Sequence, residues 1–454
     1  MDNQISVIGG GLAGSEAAWQ IAEKGLDVVL YEMRPATASG AHRSADLAEL
    51  ICSNSLGSNL PDRASGVLKN ELRKFKSLLI QVADETAVPA GAALAVDREL
   101  FAAEVTRRLL SHPRVKVIRE EVRTIPSEGF VVLASGPLTS ASLSNDLADF
   151  CGKDNLYFFD AISPIVDARS INMDIAYTAS RWDEEGVIEG DYINCPFHNK
   201  QDYQNFYQEL ISAQRIELKE FEASIEKGVD AGHSHFFEGC LPVEVIAQRG
   251  AKALLYGPLR PVGLKDPRVE RPPYAVVQLR KENIAGDLYN LVGFQTNLTF
   301  SEQSRLLRMI PGLENAEIVR YGQMHRNTFI SAPDVLLPTL QTKAKANLFM
   351  AGQITGVEGY AGNIATGLLA GINVGRLASG LPLLELPCET MLGALCHYIT
   401  HTDPKTFQPM KANFGILPPL DLNEQKGNKR DRAQKYAQRS EKEMDEFLLK
   451  TNLL

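Results

Sequence analysis

The chain opens with a short β-branched run, QISVI over residues 4–8, then Gly9-Gly10-Gly11-Leu12-Ala13-Gly14, then SEAAWQIAEKG, in which Ala, Trp and Ile recur at helical spacing. The switch from a continuous apolar run to a helical period predicts strand, tight turn and helix. LDVVLYE predicts a second strand ending in Glu32, and Phe130-Val131-Val132-Leu133 a third, closed by the small-residue turn Ala134-Ser135-Gly136-Pro137. Near the other end, Asn347–Ile354 predicts a late strand, Thr355–Tyr360 a glycine-containing turn, and the Gly- and Ala-rich run from Asn363 to Gly375 a second helix. The sheet is thus assembled from both ends of the chain. Between about 160 and 325 it is interrupted by strands, Pro-rich turns and the helical pattern NKQDYQNFYQELISAQR. The expected architecture is α/β: a doubly wound, Rossmann-like domain from 1–160 and 325–454, an inserted smaller α/β domain at 161–324, and a basic helical C-terminal tail.

The first turn carries the chemistry of dinucleotide binding. Gly9 allows the turn, Gly11 lets the backbone approach a pyrophosphate, and Gly14 permits close packing of helix on strand. The helix N-terminus, with Gly10, Leu12 and Ala13 around it, attracts the anion. Glu32, at the end of the next strand, is placed for a ribose hydroxyl. This pattern does not distinguish FAD from NAD. The second glycine turn, with Gly352, Gln353, Gly359 and Tyr360, is what a flavoprotein uses to close on the ribityl and flavin portion, and Gly136 ends a strand near the same dinucleotide. Together they favour FAD as the tightly held cofactor, so the domain is read as FAD-binding.

Composition narrows the setting. The apolar and charged fractions over 454 residues are those of ordinary soluble globular proteins. Six cysteines, at 52, 151, 195, 240, 388 and 396, show no CxxC spacing and fit thiols in a reducing cytosol. No metal site is expected. A start of MDNQISVIGGG without a basic n-region, and no apolar stretch long enough to span a bilayer, predict a cytoplasmic protein with no membrane association. The net charge of −9 argues against a generally positive surface. Locally, Gln248 to Asn283 and Lys426 to Lys442 are biased towards basic residues, although such runs are usually just solvated faces.

The stretch Glu49-Leu50-Ile51-Cys52-Ser53-Asn54-Ser55-Leu56-Gly57-Ser58 sets one cysteine among small polar residues. Alone it suits a strand end at a cleft or a helix cap, and a cysteine there is more often packed core than nucleophile. With VIGGGLAG, ALAVDRE, SGPLTS, FFEGCLPVE, GPLRPVGL, NLVGFQT, HRNT and AGQITGVEGY it forms an ordered series from residue 5 to about 375. In that series the sequence resembles the bacterial folate-dependent tRNA uracil-5-methyltransferases, flavoproteins that make ribothymidine in the T-loop. Ser135 stands where that family's pattern usually has Thr, and the hydroxyl is kept.

The resemblance implies FAD, methylenetetrahydrofolate as carbon donor, NADH or NADPH as reductant and tRNA as substrate. It also implies that Cys52 and Cys240 are the two important thiols. The chemistry suits them: a thiolate added at uracil C6 makes C5 nucleophilic, a base removes the C5 proton, and a hydride completes the methyl group. Which cysteine attacks does not follow from the residues, and Cys240 is favoured. Tyr360 is a candidate for stacking on flavin or pterin. His325 and Arg326 are candidates for folate or RNA phosphate, and Arg260 and Lys265, in a rigid Pro- and Gly-containing loop, for the RNA backbone. Rival readings are methylation of ribosomal RNA by the same chemistry, the longer flavoprotein that modifies wobble uridine, a flavin oxidoreductase acting on a small molecule, and a binding module that keeps FAD as a prop. The oxidoreductase would carry closely spaced redox cysteines, which Cys52 lacks.

Overall fold

The computed structural model describes residues 4–37, 41–152, 156–181, 191–216, 241–266, 268–421 and 427–452, with backbone alone for 156–161 and 324–326. Ile5–Ile8 lies at the centre of a five-stranded parallel sheet, in the order Leu348–Met350, Phe130–Leu133, Ile5–Ile8, Val28–Tyr31, Val115–Ile118. A central strand with both faces covered needs apolar side chains throughout, and Ile5, Val7 and Ile8 are all buried. The first helix, Leu12–Glu23, begins earlier than the apolar period implies and takes Gly14 into its first turn. Packing decides this: a Cβ on Gly14 would lie 1.8 Å from the Gly9 carbonyl oxygen. The late helix is also longer than its Gly/Ala run, spanning Tyr360–Ala378. It lies against the first helix with the backbones nearly touching, since a Cβ on Gly367 would fall 2.2 Å from the Ala13 carbonyl and one on Gly371 2.6 Å from that of Ala17.

Residues from 165 to 320 build a second, antiparallel sheet of six strands. Its order is Tyr177–Thr178, Tyr192–Phe197, Ala275–Lys281, Leu288–Leu291, Ile165–Asp167, Ile318–Arg320. Side chains alternate between faces along each strand. Val277 and Leu279 join Ile193, Cys195, Leu291 and Val166 in an apolar cluster with Phe206 and Leu210 of the Lys200–Ser212 helix. The other face is polar yet buried, with Asn194, Gln278, Arg280, Asn290 and Arg320 each at most 8% exposed. The register sets Arg280 opposite Asn290, Asn290 opposite Ile165, and Ile165 opposite Arg320, in one row across the sheet. An antiparallel ribbon, Leu156–Ala161 with Met324–Phe329, links the two units.

The polar face lies against the segment that carries Cys52. Asn54 Nδ2 donates to the Val96 and Lys281 carbonyls at 3.0 and 2.8 Å. Arg280 donates from Nε to Asn54 Oδ1 at 3.0 Å and from Nη2 to Ser53 Oγ at 2.7 Å. Arg98 forms a buried ion pair with Glu282, and Asp97 accepts from the Ile284 N–H at 2.9 Å. The tail ends in the helix Lys429–Thr451, started by a capping box between Asn428 and Asp431. Among the described residues no helix is long and apolar enough to cross a membrane.

Candidate functional site

A cleft opens where the Ile5–Ile8 and Phe130–Leu133 strands end and the two glycine-rich helix starts converge. This is where open parallel sheets bind dinucleotides. Gly9, Gly11, Leu12 and Ala13 line it from the first turn, Gly136 from the third strand, and Gly352, Gln353 and Tyr360 from the late turn. Gly9 has φ of 103°, a conformation that glycine tolerates best. Gly10, Gly14 and Gly359 do not line the cleft: Gly10 donates its N–H to Glu32 Oε2 at 2.8 Å, Gly14 packs on Gly9, and Gly359 caps the late helix.

Glu32 is on the wall, but its carboxylate is already engaged by its own chain. Oε1 accepts from the Arg34 N–H at 3.0 Å and from Arg34 Nε at 2.9 Å. Burial pushes its pKa up, and the bonds and charge of Arg34 with the Gly10 N–H more than offset this, holding the carboxyl below its usual range. Glu32 therefore clamps the glycine turn to the strand end as well as facing the cleft. Arg34 continues the chain of contacts to Glu49 at 3.0 Å. Beside them His42 is driven down to about 4, by burial first and then by the Arg34 charge, so the imidazole on this wall is neutral at pH 7.

Several features fit a dinucleotide such as FAD. A Cβ on Gly11 would meet no protein atom within 4 Å, so the room beside it is left for something else. Neither glycine-capped helix has a side-chain cap or an acidic residue in its first turn, which leaves N–H groups and positive helix ends for an anion. Among the described residues, Arg34 Nη2 and Asn363 Oδ1 are buried without a hydrogen-bond partner, and both residues line the cleft. Buried polar atoms are normally satisfied, so these two are polar contacts waiting for a bound molecule.

Cys52 stands on the same wall, half-buried, in a segment held from several sides. The Tyr360 hydroxyl accepts from the Cys52 N–H at 2.9 Å and from the Ser53 N–H at 3.1 Å. Arg98 Nη1 donates to the Leu50 and Ile51 carbonyls at 2.9 and 3.0 Å. Ser53 and Asn54 are bonded by Arg280. Tyr360 is half-buried as a residue, and burial of its phenol raises its pKa far above the usual range. The sequence suggested stacking for Tyr360; the residue lines the cleft, and its hydroxyl also holds the cysteine segment. Burial pushes the thiols of Cys195 and Cys396 up, and that of Cys151 to about 11, which marks them as packed thiols.

Cys240 lies outside the described residues, as do the side chains of His325 and Arg326, whose backbone runs in the Met324–Phe329 strand. Arg260 and Lys265 are exposed and line no part of the cleft. Their loop is held by Arg181, which donates to the Arg260 and Val262 carbonyls at 2.8 and 2.6 Å and to Gln278 Oε1 at 3.0 Å. Arg34, His42, Asn363, Arg98 and Arg280 were not singled out from sequence. Arg34 could have been, as a basic residue two positions after the acidic strand end; the others depend on long-range contacts.

Comparison with known proteins gives three findings. The model of the family described as glucose inhibited division protein A matches residues 4–382. Proteins named methylenetetrahydrofolate–tRNA-(uracil-5-)-methyltransferase TrmFO are similar over nearly the whole chain. Those from Exiguobacterium sp. and Ligilactobacillus salivarius are each 52% identical, over 97% of this chain and 98% and 97% of their own lengths. That from Thermosynechococcus vestitus is 57% identical over 92% of this chain and 89% of its own. Two solved structures of Aquifex aeolicus GidA share the fold, with TM-scores of 0.66 and 0.68 at 17% identity, covering 99% of this chain and 74% and 76% of theirs.

Proposed function

The chain belongs to the glucose inhibited division protein A family, and on that premise we propose that it is a folate-dependent tRNA uracil-5-methyltransferase. It forms ribothymidine from uridine, with methylenetetrahydrofolate as carbon donor, FAD as cofactor and NADH or NADPH as reductant. The observation that carries the reading is that Cys52 lines the dinucleotide cleft within a segment tied down by Tyr360 and Arg98. The relatives support it: the match to TrmFO proteins is near-complete in both directions.

When bound, FAD supplies the reducing equivalents that turn the transferred one-carbon unit into a methyl group. The first glycine turn and the N–H groups of the Leu12–Glu23 helix bind the pyrophosphate. Asn363 and Arg34 take polar groups of the same molecule through Oδ1 and Nη2. Cys240 supplies the sulfur that adds to uracil C6, forming a C–S bond and placing the displaced electron pair on the C5–C4–O4 enolate. Cys52, held at the cleft, takes the proton from C5 after the one-carbon unit has joined it. Loss of that proton expels the carrier amine and leaves an exocyclic methylene. Hydride addition to the methylene regenerates the enolate as a methyl group forms. The enolate then expels the Cys240 thiolate, which breaks the C–S bond and restores the C5–C6 double bond. Arg260 and Lys265, on the exposed loop of the inserted domain, bind the RNA backbone while the target uridine is extracted from its stack.

The test is incubation of the purified flavoprotein with unmodified tRNA, labelled methylenetetrahydrofolate and reduced nicotinamide, followed by nucleoside analysis. Label is expected in 5-methyluridine, and is expected to vanish in C52A and C240A proteins that keep their flavin. Flavin-loaded wild-type protein that transfers no label would overturn the assignment.

A further inference from the structure

We propose that the polar face of the six-stranded sheet carries an anion subsite in which Arg320, backed by Arg280, holds the RNA phosphodiester beside the extracted uridine. This rests on the methyltransferase reading and adds to it where the RNA backbone enters the cleft. The first ground is an imbalance of buried charge. Among the described residues, three guanidinium groups, Arg98, Arg280 and Arg320, act around the Glu282 carboxylate. Glu282 is taken by Arg98 and by Asn290 Nδ2 at 2.6 Å. Arg280 has only neutral acceptors: Asn54 Oδ1, Ser53 Oγ and, at 3.4 Å, Asn290 Oδ1.

Arg320 is 7% exposed, and among the described residues its guanidinium donates no hydrogen bond and meets no carboxylate within ion-pair distance. Its nitrogens are not among the fully buried atoms that lack a partner, so the mostly buried guanidinium still reaches solvent and is open to an arriving anion. Burial first, and then the charges of Arg98 and Arg43, bring its pKa down to about 10, with Glu282 and Tyr360 acting the other way. Arg320 thus stays charged at neutral pH, near Tyr360 and near His42, which feels its charge from the cleft wall.

The second ground is position. Arg280 and Arg320 share one row across the sheet through Asn290 and Ile165. Gln278 precedes Arg280 by two residues on the same strand face, about 7 Å away. Through Arg181 it is joined to the carbonyls of the exposed Arg260 loop. Cationic and polar groups therefore run from the solvent-facing loop to the row beside Ser53 and Cys52. A phosphodiester chain repeats its charge along such a path; the pyrophosphate of a dinucleotide has its own site at the first glycine turn. The carboxylates of folate are oxyanions from a second source.

The experiment uses the flavin-loaded full chain and measures binding of an unmodified tRNA transcript across a salt series. In R320M, affinity for tRNA should fall about tenfold, and the slope of log K against log salt should drop by about one. R320K should keep the slope. The Michaelis constant for methylenetetrahydrofolate and the flavin absorbance spectrum should be unchanged. Because no described group bonds to Arg320, R320M should melt, free of RNA, at or above the wild-type temperature. Wild-type tRNA affinity and salt slope in R320M would overturn the proposal. So would a loss confined to the folate Michaelis constant, a changed flavin spectrum, or a lowered melting temperature. Failure of the wild-type enzyme to form 5-methyluridine would instead refute the methyltransferase reading, whatever the tRNA affinity of R320M.

Discussion

The phenolic oxygen of Tyr360 accepts two consecutive backbone N–H groups, those of Cys52 and Ser53, 308 and 307 residues away in the chain. A buried N–H left without an acceptor costs roughly 1–3 kcal/mol, so this one atom is a strong constraint on where the cysteine sits. Tyr360→Phe keeps the ring and removes the acceptor. The expected result is a protein that retains its flavin but transfers methyl groups at least ~10-fold more slowly, since small displacements of a reacting group are expensive. Flavin content and single-turnover rate measure the two effects separately. A wild-type rate in the variant would show that the hydroxyl does not position Cys52. Nothing local in ELICSNSLGS pointed to this contact. The stretch read equally well as a strand end or a helix cap, because the residues that fix it, Tyr360, Arg98 and Arg280, come from three other parts of the chain.

At the level of elements, the strand–turn–helix start was legible because its determinants are consecutive. Gly11 and Gly14 belong to one motif but answer to different neighbours, and substitution separates them. Gly11 caps its helix at φ of −75°, which any residue adopts, and a Cβ there meets nothing in the protein. Gly11→Val should therefore leave the thermal stability of flavin-free protein near wild type while abolishing flavin binding. Gly14→Ala drives a methyl group into the Gly9 carbonyl and should cost ~3 kcal/mol or more whether or not flavin is present. Thermal melts of flavin-stripped proteins and the absorbance of purified samples test both. A Gly11→Val protein that remains yellow would remove the pyrophosphate from this turn. The six-stranded sheet was less legible. Its strands could be anticipated, but the row joining Arg280 to Arg320 depends on registers between strands far apart in sequence. Glu32 was legible as an acidic strand end, yet its bonds to Gly10 and Arg34 could be seen only once the turn had folded back on it.

Across the whole molecule, the C-terminal helix meets the cofactor domain at one buried carboxylate, beside the exposed ion pairs of Lys74 with Glu441 and Asp445. Glu71, on the Ala64–Lys74 helix, accepts from the Met391 and Leu392 N–H groups at 2.7 and 2.9 Å and from Ser440 Oγ at 2.7 Å. These donors belong to the Met391–His401 helix and the C-terminal helix, so three helices meet at one buried group. Burial dominates over the donors and raises its pKa from 4.5 to about 7. The folded protein therefore holds a proton that the unfolded chain releases near 4.5. The stability linked to that proton is fully present below pH 4.5 and is lost as pH rises through about 7. At ~1.4 kcal/mol for each pH unit, the loss is about 3 kcal/mol. Glu71→Gln cannot ionise and should lack this dependence while still offering one oxygen to the donors. The difference in melting temperature between wild type and E71Q, measured at one scan rate from pH 4.5 to 8, should shift steadily in favour of E71Q up to about pH 7 and then level off. Other titrating groups contribute equally to both proteins and cancel. A difference that does not change with pH would mean that Glu71 is ionised throughout, its three donors outweighing its burial.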